Sequence, residues 1–201
     1  GAVMISHPHV NLVSFTGSTE TGKIISSAAA TDFKRCNLEM GGKNVIMVME
    51  DANLDLAVEG ALWGGFGTSG QRCTAASRVV VHKAVYDQFL SRFVPSAKSL
   101  RVGDGLKPET DMGPVVNQQQ LNTVIRYVEI GKREGAKLLC GGHPLDQGPH
   151  ALGYFHEPTI FGDVNPKMKI AQEEIFGPVV AVIPSDSFEQ AIEIANDVPY
   201  G

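Results

Sequence analysis

Short strand-like runs alternate with helical patterns along this chain, and this alternation constrains the fold more than any other feature. The strand-like runs occupy residues 10–15, 45–49, 78–82, 137–140 and 179–183. Runs that are apolar on both faces are typical of parallel strands covered by helices. Apolar positions at helical spacing follow most of them, as expected for strands linked by helical crossovers. The order predicts an α/β fold with parallel strands.

Boundary residues refine this prediction. The first run breaks at Thr16-Gly17-Ser18, and a helix is predicted over residues 19–30. Ser187 and Gln190 have the spacing of a capping box at the start of the last helix. Residues 141–154, rich in Gly, Pro and His, are predicted to form a surface loop.

Composition limits the classes of protein to consider. The 201 residues are 43% hydrophobic and 19% charged, which is ordinary for a soluble globular protein of one large or two smaller domains. A net charge of −5 without a basic stripe argues against nucleic acid and anionic membranes as partners. No apolar run approaches the length that spans a bilayer.

Cysteine and histidine usage argues against disulfides and metals. The three cysteines, Cys36, Cys73 and Cys140, are far apart and odd in number, which suits a reducing cytoplasm and argues against a disulfide framework. His7 and His9 form the only close histidine pair, and no carboxylate or thiol lies at ligand spacing from them. We therefore predict no metal site.

The segment from Gly17 to Lys23 matches the G-x-x-x-x-G-K pattern of phosphate loops. That loop needs a Ser or Thr hydroxyl for Mg²⁺ after its lysine, and Ile24 stands there instead. A P-loop-like nucleotide-binding NTPase therefore remains only an alternative. A strand that passes through Thr16, Gly17 and Ser18 into a helix start still favours phosphate, because the helix offers free N–H groups there. A plain structural turn fits this segment equally well.

Cys73 lies in a setting that suits a nucleophile. Glycines precede it, and small residues from Thr74 to Ser77 follow it. Such neighbours allow a substrate to approach the sulfur and leave the Cys73 N–H available to a developing oxyanion. A lone cysteine is more often a small buried hydrophobic residue. The local pattern alone leaves both interpretations open.

Glu39 is the candidate general base. It lies between Leu38 and Met40, before the glycine pair Gly41-Gly42. We expect its carboxylate to be partly desolvated, which raises a carboxyl pKa toward the range useful for general-base catalysis. A solvated acid at a strand end is the alternative. No histidine lies in a comparable Gly-rich setting, which argues against a cysteine protease.

Four runs in this order and spacing resemble the aldehyde dehydrogenase superfamily along essentially the whole chain. They are residues 15–23 (FTGSTETGK), 38–44 (LEMGGKN), 70–74 (GQRCT) and 173–178 (EEIFGP). The resemblance implies the parallel-sheet catalytic domain of that fold over residues 41–201. Residues 1–40 would be the last strand-helix-strand part of a Rossmann-like nucleotide-binding domain.

The resemblance also implies residue roles in oxidising an aldehyde with NAD or NADP. Cys73 matches the nucleophile that forms a thiohemiacetal and then a thioester, and Glu39 matches the base that activates water to hydrolyse the thioester. The cofactor-binding residues would be Thr16, Gly17 and Ser18 for the pyrophosphate, Glu174 for the nicotinamide ribose, and Phe176 for packing near the nicotinamide. This division of labour is chemically sensible because the cofactor accepts the hydride.

Two further implications concern acceptor and substrate. The CoA-acylating branch resembles this chain around Cys73 but lacks an acid at the position of Glu39, so Glu39 favours water over coenzyme A. Arg72 and Thr74 are candidate substrate contacts, with Arg72 suited to the carboxylate of a semialdehyde. A solvent-facing or structural arginine is the alternative.

The length of the chain also bears on its activity. It is under half the family's usual length, so we expect the isolated fragment to be inactive. The full-length protein would be a cytoplasmic homodimer or homotetramer.

Overall fold

The computed structural model describes residues 1–200, and the chain divides into two compact units, Gly1–Gly42 and Lys43–Gly201. Their identification with the two predicted domains stays a prediction.

The first unit is a strand-helix-strand motif preceded by a short helix. Its elements are α1 (Ala2–Ser6), β1 (Leu12–Thr16), α2 (Thr19–Ala30) and β2 (Arg35–Glu39). Strands β1 and β2 are parallel, and their register runs from Leu12 opposite Arg35 to Thr16 opposite Glu39. The parallel pair with its helical crossover confirms the predicted strand-helix-strand motif.

Helix α2 has the predicted bounds, and its sequence explains them. Ser18 is the N-cap, and its hydroxyl accepts a hydrogen bond from the Thr21 N–H at 3.2 Å. Glu20 lies in the first turn, where the helix dipole favours an acid. The buried face carries Gly22, Ile25 and Ala29.

The second unit is built around one five-stranded sheet. Its elements are β3 (Val45–Val48), α3 (Leu54–Phe66), β4 (Arg78–His82), α4 (Lys83–Lys98), α5 (Gln118–Arg133), β5 (Lys137–Cys140), β6 (Pro144–Leu145), β7 (Phe155–His156), β8 (Thr159–Gly162), α6 (Lys169–Gln172), β9 (Val179–Ser185) and α7 (Phe188–Asn196). The strand order is β3-β4-β9-β8-β5. The pairings among β3, β4, β9 and β8 are parallel, which confirms the α/β prediction.

Two features of this unit differ from the prediction. Strand β5 at the sheet edge is antiparallel to β8, so the sheet is mixed. The loop expected over residues 141–154 contains β6, which pairs with β7 in a small hairpin. Both strands of that hairpin have only two residues, too few to show an alternating pattern in the sequence.

Both faces of the sheet are buried, as continuous apolar strands require. Val79 and Val81 pack in one cluster with residues of α3 and α4, such as Phe89. Val80, which lies between them in the sequence, packs in the other cluster with Val124 of α5 and other residues. Successive strand residues point to opposite faces, so one strand supplies both layers.

Arg78 ties the start of the sheet to the last helix. It is 2% exposed, and its Nε and Nη2 donate to the carbonyl oxygen of Lys43 at 2.9 and 2.6 Å. Its Nη1 and Nη2 also donate to the carbonyls of Ile194 and Ala195 at 2.9 and 3.0 Å. The guanidinium thereby satisfies carbonyls that the last turn of a helix leaves unpaired.

None of the helices in residues 1–200 combines the length and the apolar character that a membrane crossing requires.

Candidate active site

Cys73 follows a strained turn in the second unit. Cys73 is exposed, and the turn before it spans Gly67–Gly70. Thr68, Ser69 and Gly70 all have left-handed backbone conformations, with φ of 55°, 57° and 68°. For a residue with a side chain this conformation costs about 1–2 kcal/mol. Such strain persists only where surrounding contacts hold it.

Hydrogen bonds from the turn supply that support. The buried Ser69 hydroxyl donates to the carbonyl oxygen of Gly113 at 2.8 Å. The Gln71 amide donates to the Pro114 carbonyl at 3.3 Å and accepts from the Val116 N–H at 2.9 Å. The segment before Cys73 is therefore attached to residues 113–116.

Gly70 brings the Cys73 segment against the segment that contains Glu174 and Phe176. A Cβ added to Gly70 would overlap the carbonyl group of Gly177. The two backbones can approach this closely only because position 70 has no side chain. The structure thus brings together two of the runs on which the family resemblance rests.

Asn44 holds the backbone on the other side of Cys73. Its side-chain amide donates to the carbonyl oxygens of Cys73 at 2.5 Å and Ala75 at 3.3 Å. The Cys73 N–H has no hydrogen-bond partner among residues 1–200. A backbone N–H that is fixed and unpaired can donate to an oxyanion that forms beside it.

Gln120 holds the segment that contains Phe176. Phe176 is 39% exposed and has a left-handed φ of 55°, while Glu174 is half-buried. The Gln120 amide donates to the carbonyl oxygens of Ile175 and Phe176 at 2.8 and 2.9 Å. Both bonds fix the backbone on which Phe176 adopts its unusual conformation.

The first unit places Glu39 beside the turn of Thr16, Gly17 and Ser18. Thr16 and Glu39 are directly paired across β1 and β2, and the Gly17 N–H donates to the Glu39 carbonyl at 3.0 Å. The N–H groups in the first turn of α2 lack helical acceptors, which suits a bound phosphate. These features fit the pyrophosphate of a dinucleotide.

The expectation that Glu39 is partly desolvated is wrong for this structure. Glu39 is exposed, whereas Leu38 and Met40 on either side are half-buried. Successive residues of a strand point to opposite faces, so apolar neighbours in sequence do not enclose the side chain between them.

Arg72 and Thr74 flank Cys73. Thr74 is exposed and Arg72 is half-buried. The Arg72 guanidinium lies over the indole of Trp63, with Cζ 4.0 Å from the ring centroid. Arg72 is thus neither free in solvent nor bonded to an acid within the described chain.

Lys43 is a buried residue that sequence reasoning missed. It is 2% exposed, and its Nζ has no hydrogen-bond partner within residues 1–200. Burial, and then the charge of Arg78, lower the pKa of Lys43 to about 7, while Glu174 and Glu173 oppose the shift. The sequence placed Lys43 in a matching run but gave no sign of burial.

Asn44 and Gln120 were also missed. Each acts on carbonyl groups far away in the sequence, so no local pattern could identify them. Among residues 1–200, no group of three or more His, Cys, Asp or Glu side chains is arranged to hold a metal ion.

Comparison with known proteins gives consistent matches. The aldehyde dehydrogenase family profile matches residues 1–201. Alpha-ketoglutaric semialdehyde dehydrogenase of Bacillus subtilis is 46% identical over 201 residues, which cover 100% of this chain and 41% of that protein. Retinaldehyde dehydrogenase 3 of Homo sapiens is 47% identical over 202 residues, covering 100% and 39%. The chain therefore spans about two fifths of the length of these relatives.

Solved structures match equally well. Betaine aldehyde dehydrogenase from Staphylococcus aureus in complex with NAD+ superposes with a TM-score of 0.97 at 41% identity, covering 100% of this chain and 40% of that one. HpcC from Thermus thermophilus gives a TM-score of 0.97 at 43% identity, with the same coverage.

Two glycine variants test the contact between the Cys73 segment and the segment that contains Glu174 and Phe176. Gly70→Ala should destabilise the protein by about 3–4 kcal/mol, because the new methyl group overlaps the Gly177 carbonyl and the backbone is left-handed. Gly135→Ala is the matched control, since Gly135 has a φ of 88° but open space around its Cα. It should lose only about 1–2 kcal/mol. Equal shifts in urea denaturation of the two variants would contradict the contact.

Lys43 makes stability depend on pH. Its pKa is about 7 in the folded state against a reference of 10.5, so the unfolded chain binds the extra proton between these values. The penalty for burying Lys43 is complete below pH 7 and disappears as the pH rises toward 10.5. Lys43→Met should therefore stabilise the protein at pH 7, and this gain should shrink by about 1.4 kcal/mol per pH unit between about pH 8 and 10.

Urea denaturation across this pH range measures the effect. Lys98→Met provides the control, because Lys98 is exposed in the last turn of α4. If the difference in the free energy of unfolding between Lys43→Met and the parent did not change with pH, Lys43 would be charged in the folded protein.

Proposed function

The chain belongs to the aldehyde dehydrogenase family, and we propose that its protein oxidises an aldehyde to the carboxylic acid with NAD or NADP, using Cys73 as nucleophile and Glu39 as base. The observation that carries the proposal is the contact that places the Cys73 segment against the segment of Glu174 and Phe176. A nucleophile and a cofactor-binding segment must be neighbours for hydride transfer.

Cys73 begins the reaction. Its thiolate adds to the aldehyde carbon, and the carbonyl oxygen takes up the negative charge. The unpaired Cys73 N–H donates to this oxygen, and protonation gives a thiohemiacetal. The bond from Asn44 to the Cys73 carbonyl fixes the backbone from which the sulfur and the N–H project.

Five residues would hold the cofactor. Thr16, Gly17 and Ser18 would bind the pyrophosphate at the start of α2, Glu174 the nicotinamide ribose, and Phe176 the nicotinamide ring. When bound, the cofactor supplies the hydride acceptor that allows the thiohemiacetal to become a thioester.

Glu39 completes the reaction. Its carboxylate removes a proton from water, the resulting hydroxide attacks the thioester carbon, and the Cys73 thiolate leaves as the acid forms. The alternative is transfer of the acyl group to coenzyme A. The presence of a carboxylate at position 39 favours water.

The P-loop alternative has less support. Ile24 occupies the position where a phosphate loop requires a hydroxyl, and its side chain is 69% exposed on α2.

The remainder of the proposal concerns the whole protein: a small-molecule aldehyde as substrate, a cytoplasmic location and a homo-oligomeric assembly. We expect the 201-residue chain alone to show no aldehyde oxidation.

Pre-steady-state kinetics of the full-length protein test the assignment of Cys73 and Glu39. Glu39→Gln should release about one equivalent of NADH per site and then stall, because the thioester forms but is not hydrolysed. Cys73→Ala should release none, and Cys36→Ala is the matched control because Cys36 is also exposed. Steady turnover by the Cys73 variant would contradict its role, and acyl-CoA formed on adding coenzyme A would favour the CoA-acylating branch.

Gln120 should act as a positioning residue for the cofactor. Gln120→Ala frees the carbonyls of Ile175 and Phe176, so the KM for NAD+ should rise about tenfold in the full-length protein. Cys73 alkylation without cofactor should keep its rate. Gln119→Ala is the control, since its exposed side chain lies on the same first turn of α5. Equal KM values for the two variants would show that Gln120 does not position the cofactor segment.

A further inference from the structure

We propose that Tyr127 is a positioning residue for the nicotinamide end of the cofactor, because its bond to Glu173 directs the neighbouring Glu174 toward the cofactor. The inference rests on the proposed function, in which Glu174 binds the nicotinamide ribose. It assigns different tasks to two consecutive carboxylates that are identical in the sequence.

The first support is the bond itself. The Tyr127 hydroxyl donates to Oε2 of Glu173 at 2.7 Å, and Tyr127 is only 8% exposed. Burial, and then this bond, raise the pKa of Tyr127 to about 12, so the hydroxyl keeps its proton and remains a donor at neutral pH. A hydrogen bond to a carboxylate is stronger than one between neutral groups. The Glu173 side chain is therefore held on the side of α5, the helix that carries Tyr127.

The second support is the backbone between the two carboxylates. Glu173 has an extended conformation, with φ of −100° and ψ of 144°. Successive side chains of an extended backbone point to opposite sides. With Glu173 held toward α5, the side chain of Glu174 is directed away from that helix. Glu173 is exposed, so water would solvate its carboxylate without Tyr127, and the bond contributes orientation rather than solvation.

The third support is a second attachment of this segment to α5. Gln120 lies seven residues before Tyr127, which places both side chains on one face of the helix. The Gln120 amide donates to the carbonyl oxygen of Ile175 at 2.8 Å. Glu174 therefore lies between two residues that α5 holds, one by its side chain and the other by its backbone. This leaves the Glu174 backbone little freedom to turn.

A purely structural role requires the ring of Tyr127 but not its bond to Glu173. The ring packs in a buried cluster that includes Val124 and Ile175. The Arg126 guanidinium lies over it, with Cζ 5.2 Å from the ring centroid. Phenylalanine would keep these contacts. Tyr127→Phe therefore separates the packing of the ring from the action of the hydroxyl.

The test measures the affinity of the full-length protein for NADH and ADP, which share the ADP half, whereas only NADH carries the nicotinamide ribose. In Tyr127→Phe, the Kd for NADH should rise about 5- to 10-fold, within the range for losing one hydrogen bond. The Kd for ADP should change less than about twofold. Fluorescence titration with NADH and competition by ADP give both values without turnover. For a parent protein that prefers NADP, NADPH and 2′-phospho-ADP take their places.

Tyr86→Phe is the matched control. Tyr86 is also 8% exposed, and its hydroxyl also forms a hydrogen bond of 2.7 Å, which it accepts from the Asp163 N–H. Because Tyr86 lies on α4, this variant should leave both Kd values unchanged. Comparing two ligands on the same variant removes any general effect on folding.

Glu173→Ala tests whether Tyr127 acts through Glu173. It should raise the Kd for NADH as much as Tyr127→Phe does. The double variant should bind NADH no more weakly than either single variant, because both substitutions remove the same bond. Glu173→Gln should lie closer to the parent, since its amide oxygen still accepts from the Tyr127 hydroxyl.

The outcomes separate the inference from the proposed function. Equal losses of affinity for NADH and ADP in Tyr127→Phe would assign Tyr127 a structural role and overturn the inference. Unchanged affinity for both ligands, or additive losses in the double variant, would overturn it as well. If the parent protein oxidised aldehydes, these results would refute the inference alone. A parent protein that bound neither NADH nor NADPH would instead refute the proposed function.

Discussion

Two backbone segments of the second unit touch where one of them has no side chain, and the proposed catalytic geometry depends on this contact. Gly70 is left-handed and faces the carbonyl of Gly177. Cys73 follows Gly70 by three residues, and Phe176 immediately precedes Gly177. One contact therefore sets the separation between the proposed nucleophile and the residues proposed to bind the nicotinamide end of the cofactor. A larger side chain at position 70 would separate them whatever the rest of the site contained.

Neutral amide side chains hold both segments in place. Asn44 donates to the carbonyls of Cys73 and Ala75, and Gln120 donates to those of Ile175 and Phe176. Amides satisfy backbone oxygens without adding a charge. A lysine or arginine in either position would alter the electrostatic field around a thiolate. Amide side chains in both positions therefore fix the backbone without adding a charge near Cys73 or Phe176.

Features that depend on neighbouring residues could be predicted from the sequence, whereas features that depend on contacts between distant residues could not. Strands buried on both faces and the capped helix α2 follow from periodicity and from Ser18. The edge strand β5 and the two-residue β6 carry no pattern that shows their pairing. The predicted burial of Glu39 was wrong because sequence neighbours on a strand face opposite sides. Gln120 was missed since its acceptors lie 55 and 56 residues away.

Lys43 and Arg72 are both basic side chains removed from water, and the energetic cost of burying their charge is reduced in different ways. Lys43 is fully buried, and a lysine can give up its proton, as the fall of its pKa to about 7 reflects. Arg72 cannot lose its proton in this way, because an arginine keeps its charge in proteins. Its guanidinium instead stacks on the Trp63 ring and donates one hydrogen bond to the Trp63 carbonyl. The guanidinium therefore keeps its charge against an aromatic face, in the residue that precedes the exposed Cys73.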